Sequence, residues 1–277
     1  MDSKTSTTEH TASVEAKTVT TPRLPQDIID DILAHFAAST RPDFGSLRSC
    51  ALVSKSWVQP CRRYLFRTVL FSARDMKRWL KAFPVEEESP ANHVRDLHIW
   101  IGGYDCVPEA FFEYTSWFVN VKSVALTGNG MDSPLRVPSL WRLPQSVTSL
   151  TTNTDMFTLV QIRDIMAHLP NLDNLSLSGT PIAANKDMLP GLGTTLKCGF
   201  GGRLQLSGGY VSEDVINMLL EIPTGLHFTD VGVHGTHECF PSTVRLAEAC
   251  CETLVDLSYT ASCHGKSRSF SAQSVVN

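Results

Sequence analysis

A three-point apolar frame recurs through most of this chain, and no other feature narrows the possible folds so far. Two apolar residues stand one position apart, with a third three residues upstream. Phe66-x-x-Val69-x-Phe71, Val94-x-x-Leu97-x-Ile99, Val121-x-x-Val124-x-Leu126, Leu172-x-x-Leu175-x-Leu177 and Leu254-x-x-Leu257-x-Tyr259 fit it, and weaker copies centre on Leu150, Leu204 and Leu226. The successive centres 69, 97, 124, 150, 175, 204, 226 and 257 are 28, 27, 26, 25, 29, 22 and 31 residues apart. A period in the middle twenties is the mark of a solenoid in which each turn contributes one short strand.

Segments between the expected strands carry helical apolar spacing: Met76–Phe83, Pro108–Val119, Phe157–Leu169, Glu213–Ile222 and Ser242–Thr253. Pro84, Pro170 and Pro223 stop three of them. Two connections break the rule: 127–146, which is Pro-rich, and 180–202, which holds Pro181, Pro190 and five glycines. Loops of such length on a scaffold either hold a ligand or are simply slack. The glycine-rich stretch Gly199–Gly209 reads as a β-turn between strands. The polar residues 262–277 read as a flexible tail, leaving the last turn without an evident cap.

Ahead of the repeat the chain has a different character. Residues 1–21 are Thr/Ser-rich, without a large aromatic or a periodic apolar pattern, and read as a disordered leader. Residues 22–65 read as a compact helical unit. Pro25 suits a first helical position, and Ile28, Ile29, Ile32, Leu33 and Phe36 fall within an arc of roughly 140° at helical pitch. Asp27, Asp30 and Asp31 lie opposite. Thr40, Arg41 and Pro42 end this helix, and Asp43 is placed to cap the next. In the second helical run Cys50, Val53, Trp57, Cys61, Tyr64 and Leu65 recur at helical spacing. So little apolar surface is a marginal core by itself, which predicts a partner surface that completes it.

Leu24-Pro25, then Ile28, Ile29, Ile32 and Leu33, then Leu47 and Cys50-Ala51-Leu52-Val53-Ser54-Lys55-Ser56-Trp57 together resemble an F-box, over about 40 of the 277 residues. The connector 40–44 departs from the tighter Asp-containing link of many F-boxes. The resemblance implies docking on a Skp-type adaptor in a cullin ubiquitin ligase, with Leu24, Pro25, Ile28, Ile29, Ile32, Leu47 and Trp57 shared between adaptor contact and the unit's own core. Val121-Lys-Ser-Val124-Ala-Leu126-Thr-Gly-Asn129 and Leu172-Asp-Asn-Leu175-Ser-Leu177-Ser-Gly-Thr180 likewise resemble leucine-rich repeats in degenerate form. Most copies lack the frame's asparagine, so its hydrogen-bond ladder should be irregular. Pro138–Leu150 is similar to F-box proteins of mushroom-forming fungi.

The expected architecture is therefore α/β: a helical F-box-like unit (22–65) followed by an irregular leucine-rich-repeat-like solenoid (66–261). The resemblance implies a non-catalytic substrate receptor in the ubiquitin-conjugation pathway that presents a target protein through protein–protein contacts. The alternative is a repeat scaffold in which the hairpin only caps the solenoid.

Composition agrees with this class. A net charge of −4 argues against a nucleic-acid binder along the whole chain. Residues 62–81 are locally basic, with Phe66, Phe71 and Trp79 interleaved, but Glu86, Glu87 and Glu88 follow at once. Residues 1–21 lack the apolar core of a signal peptide, and no apolar run is long enough to span a bilayer. Eight cysteines, with Cys250 and Cys251 adjacent, read as free thiols in a reducing compartment, cytosol or nucleus. His227, His234, His237 and Cys239 lack the second ligand pair of a zinc site. No phosphate-loop, dinucleotide, nucleophile-elbow or zinc-protease motif occurs. The expectation is a protein without cofactor, metal, membrane or enzymatic chemistry.

Overall fold

The structure is a computed structural model, and it describes residues 24–38, 43–101, 114–128, 143–153, 158, 162, 168–179, 200–211, 213–221, 225–263 and 266–273. Three helices come first: α1 (Gln26–Ala37), α2 (Phe44–Val53) and α3 (Lys55–Leu65). Pro25 stands just before the first helical residue rather than within the helix. The Asp43 carboxylate caps α2, accepting from the Ser46 N–H at 3.0 Å and the Ser46 hydroxyl at 2.6 Å. Both bonds favour the charged form, so the Asp43 pKa lies below the ordinary carboxylate value. The second helical run is not continuous. Ser54 adopts an extended backbone (φ −161°, ψ 162°) that breaks it into α2 and α3, and Val53 leaves the helical core as a result.

After α3 the chain enters a mixed α/β arrangement built on one sheet. Strands β1 (Thr68–Phe71), β2 (Asp96–Ile101), β3 (Ser123–Gly128), β4 (Ser149–Asn153), β5 (Asn174–Ser178), β6 (Phe200–Ser207), β7 (Leu226–Gly235) and β8 (Asp256–Cys263) pair in sequence order, all parallel. Helices α4 (Ala73–Ala82), α5 (Glu213–Leu220) and α6 (Phe240–Ala249) lie between strands. α4 begins three residues before its expected start because Ser72 and Asp75 form a reciprocal capping box. α6 ends at Ala249, short of the expected Thr253. Of the expected helix over 108–119, the described part is a 3-10 turn at Tyr114–Trp117. The expected helix over 157–169 and the two long loops fall largely outside the described residues.

Register pairs the predicted centres directly: Val69 with Leu97, Leu97 with Val124, Val124 with Leu150, Leu150 with Leu175, and Leu175 with Leu204. The next centre is a correction. Leu204 pairs with Val231, not Leu226, and Val231 pairs with Leu257. Val231 lies 27 residues after Leu204 and 26 before Leu257, so the spacing is more even than the sequence frame suggested. Leu226 instead pairs with Phe200 in an extension of both strands, ahead of a bulge at Gly202/Arg203. The glycine-rich stretch expected as a β-turn is strand over Phe200–Ser207 and passes into a 3-10 turn at Gly208–Val211. Gly202 has φ +78°, and a Cβ there would strike the Asp173 carbonyl and carboxylate.

Frame residues supply the core: Leu97, Ile99, Val124, Leu126, Leu177, Leu204, Leu206 and Val231 are fully buried, with the helices and turns packed on that face. Outward positions stay partly or fully open, as at His98, Trp100, Thr151, Ser176 and Gln205. Parallel sheets are ordinarily covered on both faces. Here one face remains accessible.

A polar ladder links successive strand-to-strand units. Asn120 donates to the Asn92 carbonyl at 2.8 Å, Ser146 to Val121 at 2.7 Å, Asn171 to Gln145 at 2.8 Å and Thr253 to Phe228 at 3.1 Å. Each donor stands four residues before its strand centre, ahead of the frame position where asparagine was sought. Those frame positions, Asn129 and Thr180, lie outside the described residues.

The end of the sheet also differs from expectation. Lys266–Gln273, within the segment read as a flexible tail, forms β9 and pairs antiparallel with β8. The backbone edge of the last parallel strand is thereby covered.

Candidate functional site: the open apolar surface of the helical unit

The helical unit has its own small core. Ile29, Leu33, Leu47, Trp57 and Cys61 are buried together, with Ile32, Phe36, Cys50, Ala51, Tyr64 and Leu65 packed around them. Ile29 is 2% exposed, whereas its neighbour Ile28 is 41% and Leu24 is 53% exposed. The apolar arc of α1 is wider than the core it faces, so one edge enters the core and the other remains in solvent. Ile28 lies on that outer edge, and Leu24 and Pro25, just ahead of the helix, are also exposed.

Helix α2 repeats the pattern. Phe44 and Leu52 sit two turns apart on one side, and Leu52 and Val53 are 88% and 67% exposed. Only Leu47 of α2 is buried. Few residues of so short a helix can reach a core this small, and the others must face solvent or a partner.

The seven sequence-predicted site residues thus divide into three groups. Leu24, Pro25 and Ile28 are open; Ile32 is half-buried at the core's margin; Ile29, Leu47 and Trp57 form the core. Phe44, Leu52 and Val53 carry exposed apolar surface that the sequence reading did not single out as site residues. Their signal was weak because α2 and α3 read as one helix, in which Val53 took a core position.

The junction between helices and sheet is tight. α3 ends at Leu65, β1 begins at Thr68, and α3 packs on the 3-10 turn Pro90–His93. Phe66, between them, packs edge-to-face on Trp79 with ring centroids 5.8 Å apart.

Burial raises the thiol pKa of Cys61, with Cys50 adding to it, and burial likewise raises that of Cys250. Cys50, Cys61, Cys239, Cys250 and Cys251 are free. His227 and His234 lie on β7, and His237 and Cys239 in a 3-10 turn just ahead of α6. Among the described residues, no three His, Cys, Asp or Glu side chains gather as a metal site requires, and no helix is long and apolar enough to cross a membrane.

No protein-family model matches the chain, and no curated protein matches it.

Proposed function

We propose that this chain is the substrate-receptor subunit of an SCF-type cullin ubiquitin ligase. Its helical unit is F-box-like and docks on a Skp-type adaptor. The sheet region is a leucine-rich-repeat-like solenoid that holds a target protein. The observation that carries this reading is the split at the start of α1: the core is closed by Ile29 and Leu33, yet Ile28 and, just ahead of the helix, Leu24 stay in solvent. An apolar edge left over after the core is complete is what a helix-binding groove takes up. Leu24, Pro25 and Ile28 are the contact residues, and Ile32 lines the margin. The receptor performs no bond chemistry. It acts by raising the effective concentration of target lysines near a charged ubiquitin-conjugating enzyme.

The alternative, a hairpin that only caps the sheet, requires the apolar edge to be buried against β1. Thr68 and Leu70 of β1 are themselves exposed, which favours docking over simple capping. The tight join between α3 and β1 supports a rigid connection between the helical unit and the sheet in either case.

The test is co-purification with a Skp-type adaptor. The Leu24→Asp, Ile28→Asp variant is expected to lose about tenfold or more in adaptor affinity with unchanged circular dichroism. Full retention of the adaptor by that variant overturns the docking reading. Ile32→Asp is a poorer probe, since it places a charge beside the helical core.

A further inference from the structure

Parallel register stacks equivalent positions of successive strands, and at one position that stack is cationic. Thr68, Asp96 and Ser123 are aligned partners, so the residues just before them, Arg67, Arg95 and Lys122, form a column along the sheet's N-terminal edge. The backbone secures this column. Arg95 and Asp96 N–H groups donate to the Arg67 carbonyl at 2.8 and 3.0 Å, and Lys122 and Ser123 N–H groups donate to the Arg95 carbonyl at 2.8 and 3.0 Å. Successive cations are therefore held about one strand spacing, ~4.8 Å, apart. The column is no longer cationic beyond β3, where Thr148, the acidic Asp173 and Gly202 take the same place.

Arg63, from α3, faces the column across a cleft of about 630 Å³ that Arg67, His93, Arg95, Asp96 and Lys122 also line. All four Arg and Lys side chains are on exposed residues, and among the described residues none of them forms an ion pair. The one carboxylate, Asp96, accepts from the Thr68 hydroxyl at 3.2 Å. Positive charge is thus concentrated in one cleft of a chain whose net charge is −4. The local field is felt by His93, whose pKa is lowered first by burial and then by Arg63, Arg62 and Arg95.

We propose that this cleft binds an extended Asp/Glu-rich segment of a partner protein. Arg95 donates one N–H to the Asn120 carbonyl at 3.0 Å. A row of exposed cations with no ion pair among the described residues attracts and orients carboxylates. Single-stranded nucleic acid would also need flat aromatic faces for stacking. The basic run offers no series of such faces: Phe66, Phe71 and Trp79 are turned inward and pack on one another, with ring centroids 5.8 Å (Phe66–Trp79) and 5.2 Å (Phe71–Trp79) apart. Of the run's aromatics Tyr64 alone lines the cleft, half-buried against the helical core. The inference shares no residue with the Leu24–Ile28 edge and does not depend on adaptor docking.

The experiment uses the full chain without any adaptor and a short fluorescein-labelled Glu-rich peptide, read by anisotropy. Expected are binding that weakens as salt rises, no binding of the Glu→Gln peptide, and about tenfold weaker binding by the Arg67→Glu, Arg95→Glu variant. The milder pair Arg67→Gln, Lys122→Gln removes charge from two exposed side chains and leaves the backbone ladder untouched. It decides the matter where charge reversal disturbs folding. The His93 imidazole is an internal reporter. It faces Arg62, Arg63 and Arg95, with Arg67, Asp96 and Lys122 lining the same cleft, and bound carboxylates should raise its pKa in an NMR titration. Unchanged peptide affinity in both variants overturns the proposal. So does tighter binding of a single-stranded RNA of equal charge, or a His93 titration that ignores the peptide.

Discussion

The helical unit and the sheet use the same residue types to opposite ends. In the sheet, frame residues such as Leu97, Val124 and Leu204 are fully buried, and each strand adds to one continuous apolar layer. In the helical unit the buried set is Ile29, Leu33, Leu47, Trp57 and Cys61, while Leu24, Ile28, Phe44, Leu52 and Val53 remain open. Surface-to-volume scaling accounts for the contrast. A stack of repeating units buries each new face on the one before it, whereas three short helices have too little interior for all their apolar residues. A leucine or isoleucine of the frame is therefore a core residue in the sheet, whereas in the helical unit it is either core or exposed surface.

Core truncation tests this contrast most severely. Leu97→Ala and Leu126→Ala should each cost about 2–5 kcal/mol, read as a lower urea midpoint. Ile28→Ala should stay within about 0.5 kcal/mol. Equal losses at Ile28 and Leu97 would erase the distinction between the two regions.

The bulge that sets the β6–β7 register gives the next largest effect. Gly202→Ala forces a side chain into a left-handed conformation and against Asp173, and should cost about 1–3 kcal/mol. A neutral result in thermal unfolding would show that the strands re-register freely.

A smaller effect of opposite sign is expected at Thr152. It occupies an apolar frame position, is buried, and its hydroxyl has no hydrogen-bond partner. Thr152→Val keeps the shape, removes the unsatisfied group and should stabilise the sheet by about 1 kcal/mol. A lower melting temperature would refute that account.

The smallest effect is one of pH. Folded Cys61 and Cys250 have raised thiol pKa values, so the unfolded chain loses these protons first. Their contribution to stability is complete below the ordinary thiol pKa of about 8.5 and declines as pH rises through the folded values. In thiol labelling under native conditions exposed Cys251 should react well before either. Fast labelling of Cys61 would mean that the helical core opens readily.

Much of this was legible in spacing. The frame located most of the strand centres, because a strand buried on one face must repeat its apolar residues at that face's interval. Spacing does not single out Val231 over Leu226, because β7 carries two overlapping apolar alternations, Leu226/Phe228 and Val231/Val233, and only the β6 bulge chooses the second for the central row. At Ser54 an extended backbone likewise interrupts what spacing alone presents as a single helix.

The sequence by itself determined the period, the α/β alternation, the polarity of the frame and the amphipathic N-terminal helices. These are local properties, set by which side chains fall on one face of one element. Only the tertiary structure decided that Ile29 is core while Ile28 is surface, that Val231 rather than Leu226 continues the central row, and that Lys266–Gln273 covers the last parallel strand. It alone aligned Arg67, Arg95 and Lys122 into one column. These outcomes depend on hydrogen-bond register and on the volume available for burial. Both are fixed by contacts between residues distant in the chain, which local spacing does not encode.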